Sequence, residues 1–240
     1  MASFGKYFGS KQRFARELVE FILEYTKDMQ YDAIIEPFCG TACTLQKFRE
    51  KVDCPIFGSD KLAPLIVTLK AFQWGNFACP SSITQADFDR LKNDETDPLH
   101  IIVHAGASYF GQYKRDRFYG YTNVNLAKIA KRLAKKPPQL NNIDFKCCEY
   151  TDWSETKNCL FILDPPYSGA KASWSVNFRG FDNALFWKWA EMMSRENIVL
   201  VCEYEAPENW TCIWSKSFRT ANRHGGIRTK TEKVFVLIKP

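Results

Sequence analysis

The chain has 240 residues, of which 45% are hydrophobic, and 33 Lys and Arg against 27 Asp and Glu give a formal net charge of +6. This length suits one large domain or a domain with an inserted lobe, and the apolar fraction is too high for a disordered chain. Because no apolar run approaches the ~18 residues that span a bilayer and no signal-peptide stretch begins the chain, we expect neither a membrane protein nor a secreted one.

Hydrophobic spacing predicts alternating helices and strands at both ends of the chain. The first part contains a helix over 12–29, a strand over 31–38, a helix over 42–51, a strand over 55–59 and a helix over 62–74. After residue 140 follow strands over 143–148 and 159–163, a helix over 184–193, and strands over 198–203 and 233–239. This order predicts an α/β fold with a doubly wound, mostly parallel sheet.

Residues 75–140 interrupt the alternation with a Pro-Ser-Ser turn and an aromatic, glycine-containing stretch. We therefore expect residues 1–74 and 141–240 to form one domain, and residues 75–140 to form a lobe inserted in it and packed on it.

The nine cysteines and three histidines form neither CxxC pairs nor the spacings of zinc sites. An odd number of cysteines cannot form a complete set of disulfides. We expect reduced cysteines in a cytoplasmic protein and no metal.

Positive charge is concentrated in two segments of the chain. Residues 111–136 hold eight basic residues and one acid, and residues 211–240 hold seven and one, which leaves 18 basic and 25 acidic residues elsewhere. Two basic segments on an acidic body indicate a polyanionic partner, most simply nucleic acid. The basic residues over 128–135 recur at helical spacing, however, and also fit the solvated face of a helix.

A second feature is Asp164-Pro165-Pro166-Tyr167, which directly follows the apolar strand over 159–163. Ligands bind at this end of the strands in open α/β sheets. The exocyclic amine of adenine is a poor nucleophile because its lone pair is conjugated into the ring, so an enzyme must bind its N–H bonds to acceptors. Asp164 and the carbonyl of Pro165 can accept them, the two prolines stiffen the turn, and Tyr167 offers a ring on which an extruded base can stack.

Residues 36–42 close the first predicted strand with a glycine turn before a helix. Backbone amides in such a turn can approach a ligand carboxylate or phosphate closely. The turn lacks the later glycines of GxGxxG, which argues against a dinucleotide and allows S-adenosylmethionine, whose ammonium and sulfonium suit Glu36. Asp60, at the end of the next strand, is placed to accept both ribose hydroxyls.

The order of these motifs resembles the Dam-type, alpha-class N6-adenine DNA methyltransferases, including those of phages. The resemblance spans nearly the whole chain and rests on Tyr7 to Lys11, Glu36 to Thr41, Asp60, the basic insert, Asp164 to Tyr167 and the closing basic segment over 222–230. It implies the S-adenosylmethionine-dependent methyltransferase fold, with 75–140 as the target-recognition lobe, in a bacterial or phage-infected cell. The implied cofactor contacts are Tyr7, Lys11, Glu36, Phe38, Gly40, Thr41, Asp60, Glu149, Tyr150 and Asp164.

Within this resemblance, Glu149 and Tyr150 are the acid and the aromatic residue that line the adenine of the cofactor. Asp144 and Phe145 are an offset alternative, and we prefer Glu149 and Tyr150 because they fall just after the strand.

Residues 108–123 interleave aromatic side chains with basic and amide ones. Lys and Arg suit phosphates, Arg reads guanine edges and Asn reads adenine. The expected contacts to double-stranded DNA are Lys114, Arg115, Arg117, Asn123, Arg223, Arg228 and Lys230. The insert lacks the recognition hairpin of the GATC-specific enzymes, so the target sequence stays open.

The sequence thus predicts a site-specific DNA methyltransferase that moves the methyl group of S-adenosylmethionine directly to N6 of a flipped adenine, with Asp164, Pro165, Pro166 and Tyr167 as the catalytic motif. The alternatives are methylation of cytosine N4, of RNA adenine or of a protein glutamine, and a catalytically silent DNA-binding module. A place in a restriction-modification system, in phage self-protection or in regulation stays open, as does the oligomeric state.

Overall fold

A computed structural model describes residues 11–75, 77–107, 118, 120–135, 139–167, 181–221 and 227–237. Its helices are α1 (Ala15–Tyr25), α2 (Cys43–Arg49), α3 (Ala63–Gln73), α4 (Gln85–Asn93), α5 (Leu99–Ile101, continued by a π-helical turn over Ile102–Gly106), α6 (Gly120–Lys135) and α7 (Asn183–Met193). Its strands are β1 (Ala33–Glu36), β2 (Ile56–Asp60), β3 (Asp144–Cys147), β4 (Cys159–Leu163), β5 (Ile198–Glu203), β6 (Trp210–Ala221) and β7 (Ile227–Leu237).

Within the described residues the seven strands form one sheet in the order β3-β2-β1-β4-β5-β7-β6. The strands β1 to β5 are parallel, and β7 runs antiparallel to both of its neighbours. The chain order reverses between β1 and β4, which is where ligands bind in doubly wound sheets. The predicted fold class, a doubly wound and mostly parallel sheet, is confirmed.

Alternating side chains of the central strands supply two separate cores, one on each face of the sheet. Ile34, Leu160 and Leu200 face a core that is completed by α1 to α6. Their neighbours Ile35 and Phe161 face a second core, which α7 covers with Phe186, Trp189, Ala190 and Met193. Since both faces are buried, the strands are continuous apolar runs, which is why β4 was recognisable in the sequence.

Segment 75–140 contributes α4, α5 and α6, whose apolar side chains belong to the same core as those of α1 to α3. On α6, Leu126, Ile129 and Leu133 are buried, whereas three basic residues of the same helix, Lys128, Lys131 and Lys135, are exposed. This distribution fits the solvated-face alternative for that part of the basic segment. The role of 75–140 as an inserted target-recognition lobe stays a prediction.

The C-terminal region differs from the prediction. The expected strand over 233–239 is the end of the longer strand β7, and β6 was not predicted. A bulge between Cys212 and Trp214 changes the face that the side chains of β6 occupy. Because Trp210 packs on one side of the sheet and Trp214 on the other, the strand lacks one continuous period of two.

None of the described helices combines the length and the apolar composition needed to cross a bilayer.

Gly58 fixes the spacing between β2, β3 and α2. A Cβ atom at this position would lie 2.6 Å from Leu45 Cδ1 and 3.0 Å from Phe145 Cε1, both on buried side chains. We predict that Gly58→Ala lowers the free energy of unfolding by about 1–3 kcal/mol through overpacking, as measured by urea denaturation.

Leu45→Val shortens the nearer of these two side chains and provides the control. The loss caused by Gly58→Ala should be smaller in the Leu45→Val background. Strictly additive losses would mean that Leu45 is not the obstacle.

Candidate active site

Three carboxylates lie at the carboxyl ends of neighbouring strands. Glu36 is the last residue of β1, Asp60 is the last residue of β2, and Asp164 directly follows β4. Because β1 and β4 flank the point where the chain order reverses, Glu36 and Asp164 border the crevice of the sheet. The structure thus brings together three of the residues predicted from the sequence.

Lys11 is the cation of this site. It lies in the 3₁₀ turn over Lys11–Arg13 that precedes α1, and it is 5% exposed. Its Nζ lies 2.7 Å from Asp164 Oδ1 and 3.2 Å from Glu232 Oε2, and it also donates to the hydroxyl of Tyr167. All three N–H donors of the ammonium are therefore bound to protein groups.

The ammonium of Lys11 stays charged in this environment. Burial alone would lower the pKa of Lys11, but attraction to Asp164 and Glu232 outweighs it and raises the pKa above its ordinary value. One positive charge therefore faces two carboxylates.

Asp164 and Tyr167, the two ends of the predicted catalytic motif, both border this ammonium. Burial raises the pKa of Asp164, Lys11 lowers it, and Glu232 raises it again. Burial and the carboxylate of Asp164 raise the pKa of Tyr167 well above its ordinary value, so its hydroxyl keeps its proton. Tyr167 donates that proton to Glu232 Oε2 over 2.5 Å, while its ring meets the ring of Tyr204 edge-on at 4.6 Å.

Glu36 is buried at 3% exposure, and its Oε2 has no hydrogen-bond partner among the described residues. Burial, followed by repulsion from Asp164, raises the pKa of Glu36 well above its ordinary value, although Lys11 opposes this. Its surroundings therefore favour the neutral form of the carboxyl more than solvent would. An unsatisfied buried acceptor beside a crevice is suited to a cationic donor.

The turn after β1 places Gly40 against Asp60. Gly40 and Ala42 both have left-handed backbone angles, with φ of +49° and +52°. The Gly40 amide donates to Asp60 Oδ2 at 3.3 Å, and the Leu62 amide donates to Oδ1 at 3.0 Å. Burial raises the pKa of Asp60 to about 6, although these two hydrogen bonds oppose it. Phe38 and Thr41, predicted contacts of the same turn, are half-buried and buried.

Tyr150 and Glu149 differ in exposure. Tyr150 is 9% exposed and packs against Phe38 and Trp189, with ring centroids 5.4 and 4.9 Å away. Glu149 is exposed, and its carboxylate lies 3.9 Å from Lys61 Nζ. Tyr150 thus supports Phe38 from the second core, and a contact of either residue with a ligand stays a prediction. In the offset alternative, Phe145 is buried and Asp144 exposed.

The predicted DNA contacts are only partly described. Lys114, Arg115, Arg117 and Arg223 lie outside the described residues, as does Tyr7, a predicted cofactor contact. For Arg228 only the backbone, in β7, is described. The Asn123 amide exchanges two hydrogen bonds, both of 3.0 Å, with the main chain of Ile83. Both ends of this amide thus hold the chain before α4 in place, and a contact of Asn123 with DNA stays a prediction. Lys230 is exposed and donates to the Tyr204 hydroxyl at 3.0 Å.

One residue of the site, Glu232, was not predicted from the sequence. Glu232 is the single acid among the basic residues of 211–240, and this isolation was an available signal. Tyr204, which follows an apolar strand in the sequence, lies after β5 at the edge where β1 and β4 end.

No protein-family model matches the chain, and no curated protein matches its sequence significantly. Among solved structures, TrmN from Thermus thermophilus is 12% identical, with 97% of this chain and 52% of its own covered and a TM-score of 0.41. The rRNA methyltransferase aviRa from Streptomyces viridochromogenes is 10% identical, with 96% and 86% covered and a TM-score of 0.44. Precorrin 8W decarboxylase from Methanobacterium thermoautotrophicum is 7% identical, with 92% and 90% covered and a TM-score of 0.39.

This chain spans about half the length of the TrmN chain. All three TM-scores are below 0.5, so these likenesses establish no activity. The fold follows from the strand order β3-β2-β1-β4-β5-β7-β6 with an antiparallel β7. This is the S-adenosylmethionine-dependent methyltransferase fold.

We predict that Lys11→Met lowers the free energy of unfolding by about 3–5 kcal/mol near neutral pH, because Asp164 and Glu232 would keep buried charges without a counter-ion. Protonation of Asp164, whose pKa burial already raises, removes one of these uncompensated charges. The loss should therefore shrink as the pH falls from about 8 to about 5, which urea denaturation at several pH values measures.

Lys157→Met is the matched control for this loss. The Lys157 ammonium lies 2.9 Å from Glu196 Oε1, but both side chains are more than half exposed. Its removal should leave stability unchanged at every pH. An equal loss in both variants would contradict the role of burial.

Proposed function

We propose that the protein is a site-specific DNA methyltransferase that transfers the methyl group of S-adenosylmethionine directly to N6 of a flipped adenine. The observation that carries this proposal is the carboxylate of Asp164, fixed by Lys11 at the carboxyl end of β4 and followed by Pro165, Pro166 and Tyr167. The choice of adenine N6 in DNA as the substrate follows from the resemblance to the Dam-type, alpha-class enzymes.

The acidic crevice fits S-adenosylmethionine as the cofactor. One ammonium, from Lys11, faces two carboxylates, and Glu36 adds an unsatisfied oxygen, so the site favours a ligand with net positive charge. Glu36 would bind the ammonium of the methionine part, and Asp60 the ribose hydroxyls. When bound, the cofactor supplies an electrophilic methyl group on its sulfonium.

Asp164 supplies the acceptor that the amine requires. Its Oδ1 is held 2.7 Å from Lys11 Nζ, which fixes the orientation of the carboxylate before the base arrives. Burial raises the pKa of Asp164, and a more basic carboxylate is suited to take the proton that the amine loses when the new N–C bond forms. Pro165 is buried directly after it and limits movement of the turn.

The β6–β7 hairpin supports a polyanionic substrate. In β7, Lys233 to Val236 pair with β5, and Lys233 pairs with Glu203, the last residue of that strand. Ile227 to Glu232 therefore extend past the end of β5, at the edge of the sheet that holds the site. Exposed basic residues of this hairpin, Arg219 and Lys230, are suited to phosphate contacts. DNA would thus be bound beside Asp164.

The proposal predicts that wild-type protein transfers a tritiated methyl group to an adenine-containing duplex, and that Asp164→Ala abolishes transfer while the circular dichroism spectrum is retained. Glu208→Gln, at an exposed site away from the crevice, is the control and should act like the wild type. Transfer by Asp164→Ala at the wild-type rate would refute the assigned mechanism.

Other outcomes of the same assay identify the alternatives. Transfer to cytosine N4, to RNA adenine or to a protein glutamine would identify a different substrate. A duplex-binding protein that shows no calorimetric heat with S-adenosylmethionine would be the silent binding module.

The pKa of about 6 at Asp60 predicts a pH dependence of cofactor binding. Below this pH the carboxyl is protonated and offers one acceptor fewer to the ribose hydroxyls, so affinity for S-adenosylmethionine should fall as the pH drops through about 6. Isothermal titration from about pH 5 to about pH 8 measures it. Asp60→Asn should bind more weakly and lose this step, and an unchanged step would place the titrating group elsewhere.

A further inference from the structure

Glu232 is buried in a region where an acidic side chain would be expected to be solvated. It lies in β7 opposite Lys216 of β6, directly before the pair that Lys233 forms with Glu203 of β5. The 30 residues that end the chain hold seven basic residues and this one acid, yet Glu232 is only 8% exposed. Its carboxylate reaches Lys11 and Tyr167, far away in the sequence, instead of the nearby basic residues.

A single oxygen of Glu232 joins the two groups that surround Asp164. Oε2 accepts from the Tyr167 hydroxyl at 2.5 Å and from Lys11 Nζ at 3.2 Å. Lys11 also donates to that hydroxyl, so Tyr167 both donates and accepts. This arrangement fixes Tyr167 at its hydroxyl group, and the ring of Tyr204 packs edge-on against the ring of Tyr167.

We infer that Glu232 is a positioning residue for methyl transfer: it holds Tyr167 and Lys11 in place and balances the charge that Lys11 presents to Asp164. The inference rests on the proposed function, in which Asp164 binds the target amine. Glu232 acts through Tyr167 and Lys11 and is not itself assigned a contact with the reacting atoms.

Lys11 and Glu232 shift the pKa of Asp164 in opposite directions. The titratable groups that face Asp164 are Lys11 from the N-terminal turn, Glu36 from β1, Cys202 from β5, Tyr167 and Glu232 from β7. Burial raises the pKa values of all three of Glu36, Tyr167 and Cys202, so Tyr167 and Cys202 stay neutral near pH 7. Of the remaining two groups, Lys11 lowers the pKa of Asp164 and Glu232 raises it.

Glu232→Gln separates charge from contact. The amide oxygen can still accept from Tyr167 and Lys11, but the negative charge is gone. Lys11 then neutralises Asp164 alone, so the pKa of Asp164 should fall. A carboxyl-detected ¹³C NMR titration of the ligand-free protein measures this pKa directly, with Asp164→Asn to assign the resonance.

Kinetics provide the second readout. Ionised Asp164 is the acceptor, so the acid limb of the kcat profile should move to lower pH in Glu232→Gln, while kcat itself falls because the carboxylate is less basic. Glu232→Ala also removes the contact, and kcat should fall on the order of 10- to 100-fold. Glu232→Asp keeps the charge and should keep the wild-type limb, and exposed Glu208→Gln should change neither quantity.

The two readouts distinguish the possible failures. If wild-type protein methylates no adenine in DNA, the proposed function fails, while the NMR titration still reports whether Glu232 controls Asp164. If wild-type protein is active but Glu232→Gln leaves both the pKa of Asp164 and the acid limb in place, the inference is overturned. Lower activity of Glu232→Ala with an unmoved limb in Glu232→Gln would show a merely structural residue, which also overturns it.

Discussion

The buried ammonium of Lys11 is the interaction on which the site depends. Removing a charge from water is costly, and here the cost is offset by three acceptors that come from distant parts of the chain: Asp164 after β4, Tyr167 in the following turn and Glu232 on β7. These groups can satisfy the ammonium only when α1, β4 and β7 have all taken their places. Phe14 contributes by packing on Trp214 and Phe218 of β6, which holds the start of α1 against the hairpin.

The same interaction explains why an acidic crevice can persist inside the fold. Asp164 and Glu232 share one cation, and burial favours the neutral form of Glu36. Such a site is stable without a ligand but retains an unsatisfied acceptor. A cationic ligand beside Glu36 would lower the pKa of its carboxyl. Ligand binding would therefore be linked to release of a proton.

The sequence predicted those parts of the fold that local patterns encode. The doubly buried strand β4 appeared as an apolar run, and Asp164 after it could be placed at the sheet edge without knowing any contact. Strand β6 was not predicted, because its bulge moves Trp214 to the opposite face from Trp210. The apolar residues of the strand therefore do not keep one alternating period of two. The pairing of Lys11 with Glu232 could not be predicted either, because the two residues lie 221 positions apart and no local sequence pattern connects them.

Charge therefore has to be considered in space as well as along the chain. By position in the sequence, Glu232 belongs to the basic C-terminal segment, but the antiparallel direction of β7 carries it to the acidic crevice at the carboxyl ends of β1 and β4. Lys230, two residues earlier on the same strand, lies exposed beside Tyr204, whose ring packs on Tyr167. One strand thus carries an exposed lysine, Lys230, and a buried acidic residue, Glu232, that contacts Tyr167 of the predicted catalytic motif. A polyanion bound to Lys230 would be separated from Tyr167 by the side chains of Lys230 and Tyr204. Glu232 is buried and would not face it.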